Sequence, residues 1–343
     1  MPTVSVVVPC YKYGQYVTGC VTSLLENSEV DLDILVVDDA SPDDSWSVVE
    51  RLPQLDPRVR VQRNEQNQGL IATANAAIMA ATGDYVVLLS ADDAHAPGWL
   101  DRGVSYLERN PQVVLAYGPA RHFTGSVPVV HKQRPVDAVV YSGHDWLKAR
   151  CTQGFPEIYS PEAIVRTTAQ HEIGGYRPEL PYSSDMEMWM RLASVGDVVR
   201  VGGPVAALYR VSAQSMSQVA RAHLISELEF CRDAFDAWYE FADGRVPDRD
   251  PLLAAAKNAL ARRAVRRAKV ALLADALSGE FDDLCKFALE CDAVWATPQV
   301  ERLHIVQGHR WARGLLRCVG PVTNVGLRTY RAVDDIRYRL RAR

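Results

Sequence analysis

The sequence predicts an α/β protein: a Rossmann-like, mostly parallel sheet with flanking helices, followed by a helical C-terminal region. Three observations carry that expectation. Short β-branched runs alternate with stretches of helical spacing from Val4 to Tyr117. Polar clusters fall where the runs stop. Beyond about residue 218 the strand-like runs vanish.

Val4 to Val8 reads as a strand buried on both faces. Gln15 to Glu26 has helical spacing, with Tyr16, Cys20 and Leu24 beside Val17, Val21 and Leu25 in one stripe. Ile34 to Val37 is the next strand. SPDDSW then opens a helix, with Ser41 as its cap, Pro42 in its first turn, and Asp43 and Asp44 at its positive end. Val59 to Gln62 is a strand, and Ile71 to Ala81 a helix stopped by Gly83. Tyr85 to Leu89, Trp99 to Arg109 and Val113 to Tyr117 read as strand, helix and strand. This alternation implies parallel strands with helices on both faces.

Residues 119–140 read as irregular or hairpin structure, and GHDWLKAR as a short helix. SPEAIVRTTAQHEIGGY reads as a strand, a helix and a Gly-Gly stop. SSDMEMWMRLASVG is a helix capped by Ser183 or Ser184 and ended by Gly196. Val198 to Val201 and Val205 to Tyr209 are strands. The remainder is helical, and its tail, residues 310–343, is rich in Arg and poor in acids. Such a tail suits a solvated face, an acidic partner or a membrane surface.

Bulk composition narrows the class. The 343 residues are 48% hydrophobic and 23% charged, which supports a packed core. A net charge of −4 argues against bulk nucleic-acid binding. Seven cysteines without CxxC spacing disfavour a disulfide framework or a structural zinc, and suit reduced thiols in a cytoplasmic setting. No leader pattern opens the chain, and no window has the apolar length of a membrane span.

In open parallel sheets, ligands sit beyond the carboxyl ends of the strands. There the four strands end in PCYKYGQY, DDASPDD, RNEQNQG and SADDAHAP. Each cluster alone is also ordinary turn chemistry. Four at one sheet edge point to a site. No GxGxxG follows the first strand and no GxxxxGK[ST] occurs, so the glycine loops that cradle phosphates are missing. The clusters offer carboxylates instead, and oxygen ligands of that kind suit Mg²⁺ or Mn²⁺, which can hold a diphosphate.

Four segments occur in order: VSVVVPCYKYGQYVTGCVTSLL, DILVVDDASPDDS, NQGLIATANAAIMAATGDYVVLLSADD and GGYRPELPYSSDMEMWMRLA. Together they resemble glycosyltransferase family 2, the inverting transferases with a GT-A fold. VALYRVSAQSMS resembles a further family motif, Tyr-Arg-x-His followed by Ser. The resemblance implies a GT-A domain over residues 1–218, with a nucleotide-sugar half at about 1–118 and an acceptor half at about 119–218. The helical region, 219–343, lies outside it.

The resemblance also implies roles. The family transfers a sugar from a nucleoside diphosphate to an acceptor hydroxyl. Pro9 and Tyr11 match its nucleotide-binding loop, Asp39 matches the base-contacting aspartate with Asp38 beside it, and Asn67 joins the same set. A carboxylate there suits the N3–H of uracil, which favours a UDP-sugar and leaves dTDP- and GDP-sugars open. Ser90, Asp92 and Asp93 match the DxD-type motif, with Asp92 towards the ribose and Asp92 and Asp93 as ligands of Mn²⁺ or Mg²⁺. Asp185 matches the general base, and the positive end of its helix is expected to keep it ionised. Trp189, one turn on, is either an acceptor-side wall or core. Trp146 and Tyr182 are further acceptor candidates, alongside His144 and Tyr159.

Two positions depart from the pattern. Ser90 stands where many members have Asp, and Ser212 where the family often places a metal-binding His. A pseudoenzyme that binds nucleotide or glycan without turnover is therefore an alternative. A nucleotidyltransferase would want a Gly- and Arg-rich loop after the first strand, which PCYKYGQY lacks. The acceptor is left open as a glycan, a lipid-linked group, a protein or another hydroxyl. The basic tail leaves room for attachment to the inner face of a membrane.

Overall fold

Valines fill β1, Thr3–Cys10, and it lies at the centre of the parallel ladder: Val4, Val6 and Val8 are fully buried, as β-branched side chains in a two-sided sheet should be. The structure is a computed structural model. It describes residues 1–25, 30–131, 137–155, 158–203, 205–212, 223–274 and 278–308. The basic tail at 310–343 and the expected domain boundary at 218 lie outside the described residues.

The chain resolves into two compact units. The first comprises residues 1–147 and 157–212, and the second 148–156 together with 213–341. In the first, α1 (Gly14–Leu25), β2 (Asp31–Asp38), α2 (Ser45–Val49), β3 (Val59–Arg63), α3 (Leu70–Met79), β4 (Tyr85–Leu88), β5 (Ala94–His95), α4 (Trp99–Arg109) and β6 (Val113–Tyr117) follow β1. Then come β7 (Ala120–Phe123), β8 (Ala138–Tyr141), α5 (Gly143–Gln153, of which residues 148–153 are counted in the second unit), β9 (Ala163–Arg166), α6 (Thr167–Ile173), α7 (Ser184–Ala193), β10 (Asp197–Val201) and β11 (Ala207–Arg210). The main sheet runs β3-β2-β1-β4-β9-β6-β10-β8, and β5-β11-β7 form a small second sheet.

The β3-β2-β1-β4 block is parallel throughout, with Cys10 paired to Asp38 and Val7 to Leu88. That register brings the carboxyl ends of β1, β2 and β4 to one edge. Beyond β4 the sheet changes character. β9, from the AIVR run, inserts antiparallel between β4 and β6. The stretch expected as irregular or hairpin contains two strands that do not pair with each other. β7 lies parallel to β11, and β8 lies antiparallel to β10. The local pattern could not show this, because both partners lie more than 55 residues downstream in sequence.

The Ser41 cap is not formed. The helix begins at Ser45, and Ser41 Oγ instead accepts the N–H of Lys12 at 3.0 Å, while Ser45 Oγ accepts that of Gly14 at 2.9 Å. The two serines thus tie the loop after β1 to the loop after β2. Ser183 does occupy the position before α7, but makes no side-chain capping bond.

The second unit is helical: α8 (Ser226–Phe241), α9 (Arg249–Ala274), α10 (Ser278–Cys291) and α11 (Ala293–Gly308). Phe235, Trp238, Leu260, Phe281 and Phe287 form its buried aromatic and aliphatic centre. Arg267, itself buried, pairs with Glu227. Among the described residues no cysteine forms a disulfide, and no helix is long and apolar enough to cross a membrane.

Candidate functional site

Two residues other than glycine have positive φ in the described chain: Lys12 at 60° and Ala40 at 53°. They follow β1 and β2 directly. Left-handed backbone costs a residue with a Cβ, and such strain gathers where a site fixes the chain. Pro9 is buried within β1, and Tyr11 is exposed at its end with Lys12 Nζ 5.1 Å from its ring centroid.

The two aspartates that end β2 behave differently. Asp38 is fully buried and meets Arg63 Nε at 3.3 Å and the N–H of Ser41 at 3.2 Å. Asp39 ties down the loop before α3. Its carboxylate accepts from Asn64 Nδ2 at 2.8 Å, the N–H of Gln68 at 2.9 Å and that of Gly69 at 2.8 Å. Burial alone would raise its pKa, but these donors outweigh it and hold the carboxyl below the usual range. Gly69 (φ 84°) sits at the start of α3, where its N–H also reaches Asn67 Oδ1 at 3.0 Å. Asn67 itself is exposed.

β4 delivers Ser90, Asp92 and Asp93. The N–H of Asp93 bonds Ser90 O at 2.9 Å, closing a tight turn. Both carboxyls are buried. Burial pushes Asp92 up, against the Arg210 charge and a hydrogen bond from Tyr13. Burial and then the neighbouring charge of Asp92 push Asp93 well above the usual range. Arg210, at the end of β11, holds this turn. Its N–H donates to Asp93 Oδ1 at 2.7 Å and its Nε to Asp92 O at 2.9 Å, while Nη1 reaches Gly125 O. The guanidinium lies 4.1 Å from the Tyr16 ring centroid and 4.5 Å from that of Phe123.

Asp185 opens α7 and keeps a partly exposed face. The helix end was expected to favour its charged form. Burial prevails, and the carboxyl is pushed up to about 6, against hydrogen bonds from the N–H groups of Met186 and of Asp185 itself. Tyr176 lies close enough to feel the Asp185 charge. Its backbone is clasped by Asn75 of α3, which accepts its N–H at 2.7 Å and donates to its carbonyl at 2.7 Å. Gly175 is required beside it, because a Cβ there would lie 2.3 Å from Asn75 Oδ1. Glu187 is fully buried between Arg191 Nε at 2.8 Å and Arg177 Nε at 3.0 Å. Arg191 also binds the carbonyls of Ile173 and Gly175. This pair locks the loop that leads into α7.

The acceptor candidates divide. Trp189 is buried and donates its indole N–H to Ile158 O at 3.3 Å, so it packs in the core. Trp146 is buried as well, and neither ring presents an open wall. Tyr182 is exposed and Tyr159 partly so. Two contributors escaped the sequence reading: Arg210, visible only as the second letter of YRVS, and Tyr13, inside PCYKYGQY. Among the described residues no cluster of three His, Cys, Asp or Glu side chains could surround a metal ion, and Ser212 adds none. The Asp92–Asp93 pair does fit a hard cation that takes the rest of its shell from diphosphate and water.

Comparison with known proteins agrees with this layout. The family model described as "Glycosyl transferase family 2" matches residues 5–171. An uncharacterized glycosyltransferase of Haemophilus influenzae is 26% identical over 205 residues, which cover 57% of the chain and 61% of that relative. The chain therefore spans under two thirds of that relative's length. S. aureus TarS 1-349, solved with UDP-GlcNAc, superposes with a TM-score of 0.65 at 16% identity, over 91% of this chain and 92% of that one. A mannosyltransferase of Pyrobaculum calidifontis, solved with GDP-Man and Mn²⁺, gives a TM-score of 0.57 at 18% identity, over 92% of this chain and 83% of that one. The fold is thus that of the GT-A glycosyltransferases, and residues 5–171 of this chain match the model of glycosyl transferase family 2.

Proposed function

We propose that the protein is a metal-dependent, inverting glycosyltransferase that moves a sugar from a nucleoside diphosphate sugar to an acceptor hydroxyl. The Asp92–Asp93 pair carries this reading: two buried, adjacent carboxyls fixed beyond β4 resist ionising together, and a bound cation would offset that cost. Asp92 and Asp93 would hold Mn²⁺ or Mg²⁺, which when bound neutralises charge on the departing diphosphate. The loops after β1 and β2, with Pro9, Tyr11, Asp38, Asp39 and Asn67, receive the nucleotide. Ser90 and Asp92 face its ribose. The N3–H of uracil suits a carboxylate acceptor, so a UDP-sugar is favoured, and the UDP-GlcNAc complex of the S. aureus neighbour supports that choice. Asp185 is the general base. A carboxyl near 6 is ionised at neutral pH and still basic enough to take the acceptor proton during in-line attack.

A thermal-shift screen of UDP-, GDP- and dTDP-sugars with and without Mn²⁺ tests the donor assignment, since a ligand of the folded state raises its stability. No response to any nucleotide overturns the reading. Binding without donor hydrolysis or transfer, unchanged in Asp185→Asn, would favour the pseudoenzyme instead. A cytoplasmic location and a peripheral membrane contact through residues 310–343 are proposals that rest on the sequence alone, and the acceptor hydroxyl is left open. Deleting the tail should weaken binding to anionic liposomes.

A further inference from the structure

Between Pro251 and Ala274, α9 carries Lys257, Arg262, Arg263, Arg266, Arg267 and Lys269, and no acid stands among them. These cations divide into two sets. Lys257 meets Asp236 at 3.3 Å, Arg263 meets Glu227 at 3.8 Å, and the buried Arg267 pairs with the same glutamate. Those three bind α9 to α8. The other three, Arg262, Arg266 and Lys269, are the only exposed positions from Ala255 to Leu272. Among the described residues none of them meets a carboxylate. Their spacing of four and then three puts them on one helix face, in a row along about 10 Å of axis. Like charges at this spacing repel and weaken a helix. The helix's own stability therefore does not account for the row.

α11 adds to it. Asn258 donates to Asp292, the residue before α11, at 2.7 Å, and the Arg262 guanidinium lies 5.2 Å from the Trp295 ring centroid. α11 thus advances beside α9 in the same direction. Arg302 is exposed and lies two turns beyond Trp295 on the same face, while Glu301 falls roughly 120° round the helix from Trp295. The chain that follows has the same sign as the row. Residues 310–343 set nine arginines against Asp334 and Asp335, so this tail would be repelled by the row rather than cover it.

We infer that Arg262, Arg266, Lys269 and Arg302, with the partly exposed Trp295, form a docking face for the anionic surface of a lipid bilayer. Charge complementarity carries the choice. The cations are spread along two helices, which matches an extended array of negative headgroups better than one phosphate held by converging donors. An amphipathic ring beside them suits the headgroup level. Attachment would be peripheral, since among the described residues no helix is long and apolar enough to cross a membrane. The face is separate from residues 310–343 and independent of the glycosyltransferase reading.

The test is cosedimentation of the full chain with vesicles of phosphatidylcholine and of an equimolar mixture with phosphatidylglycerol. Wild type should bind the mixed vesicles only, and less as salt rises. Each basic residue near such a surface is worth about fivefold in partitioning. R262Q/R266Q/K269Q should therefore lose about 10²-fold, and Lys269→Gln alone about fivefold. Glutamine is a good helix former, so melting temperatures should hold or rise slightly. R262K/R266K should bind within about twofold of wild type, because a bilayer reads charge rather than fork geometry. The tail is intact in every variant. A contact made by the tail alone would leave all of them binding like wild type, which overturns the face. Equal binding to neutral vesicles, or loss in the lysine variant, also overturns it. So does binding of heparin that depends on the row while vesicle binding does not, which would assign a soluble polyanion. UDP binding plays no part in these readouts, so their failure is distinct from failure of the enzymatic reading.

Discussion

The N–H of Arg210 donates to Asp93 Oδ1 at 2.7 Å, joining residues 117 positions apart. The same residue's guanidinium holds the Asp92 carbonyl and lies against two aromatic rings. One residue thus sets the backbone and the charge environment of the carboxylate turn. Arg210→Ala should destabilise the fold by roughly 2–3 kcal/mol, as expected for lost hydrogen bonds from a buried charged group. Arg210→Lys should recover part of that loss, because it restores the charge without the planar fork. Urea denaturation of the three proteins checks the order.

Asp93→Asn separates structure from charge. The amide oxygen can still accept the Arg210 N–H, but the like charge beside Asp92 is gone. A carboxyl whose folded pKa lies above its unfolded value loses stability as pH rises through the unfolded value towards the folded one. At pH 7 the metal-free variant should therefore melt no lower than wild type, and higher if nothing else changes. Its Mn²⁺-dependent thermal shift with UDP should disappear. A full shift in the variant would contradict the metal assignment.

Asp185 gives a pH signature. Its carboxyl is raised from 3.8 to about 6, so transfer should climb with pH through about 6 and then level off. Asp185→Asn should flatten that rise and lower kcat by about 10²–10⁴-fold, with UDP affinity kept. The linked stability has the opposite sense. Wild type loses stability between pH 4 and 6, and the Asn variant should exceed it at pH 7 by on the order of 1–2 kcal/mol. Chemical denaturation at pH 4 and pH 7 measures the difference.

Asp39 titrates the other way. Its lowered pKa means that its stabilisation is present above the unfolded value near 3.8 and is lost as pH falls below it. Asp39→Asn is not conservative here, since its NH₂ would face backbone or side-chain donors on the oxygen it replaces. The change should cost about 1–3 kcal/mol, raise hydrogen exchange at Gln68 and Gly69, and weaken nucleotide binding.

The elements built from local pattern were legible, and those built from distant pairing were not. The β-branched run at Val4 to Val8 announced β1, and SADDAHAP announced the carboxylate turn. AIVR read as a strand, but nothing in four residues says that it runs antiparallel between β4 and β6. Ser41 offered capping chemistry, but its hydroxyl went to the loop contact with Lys12, as that of Ser45 went to Gly14. Glu187 and Arg191 stand four apart on a helix, a legible ion-pair spacing whose burial was not. At Asp185 a helix end and a buried position pull the pKa in opposite directions. Only packing decides between them, and packing is not written in the neighbouring residues.

The antiparallel placement of β9 has a consequence for engineering. Residues 163–166 supply a neighbour to β4 on one side and to β6 on the other. A fragment ended near residue 118 would leave both strands with raw hydrogen-bonding edges, which invite aggregation. Residues 1–118 are therefore not a portable module. Any chimera that borrows them must also carry this short segment from the far half of the sequence.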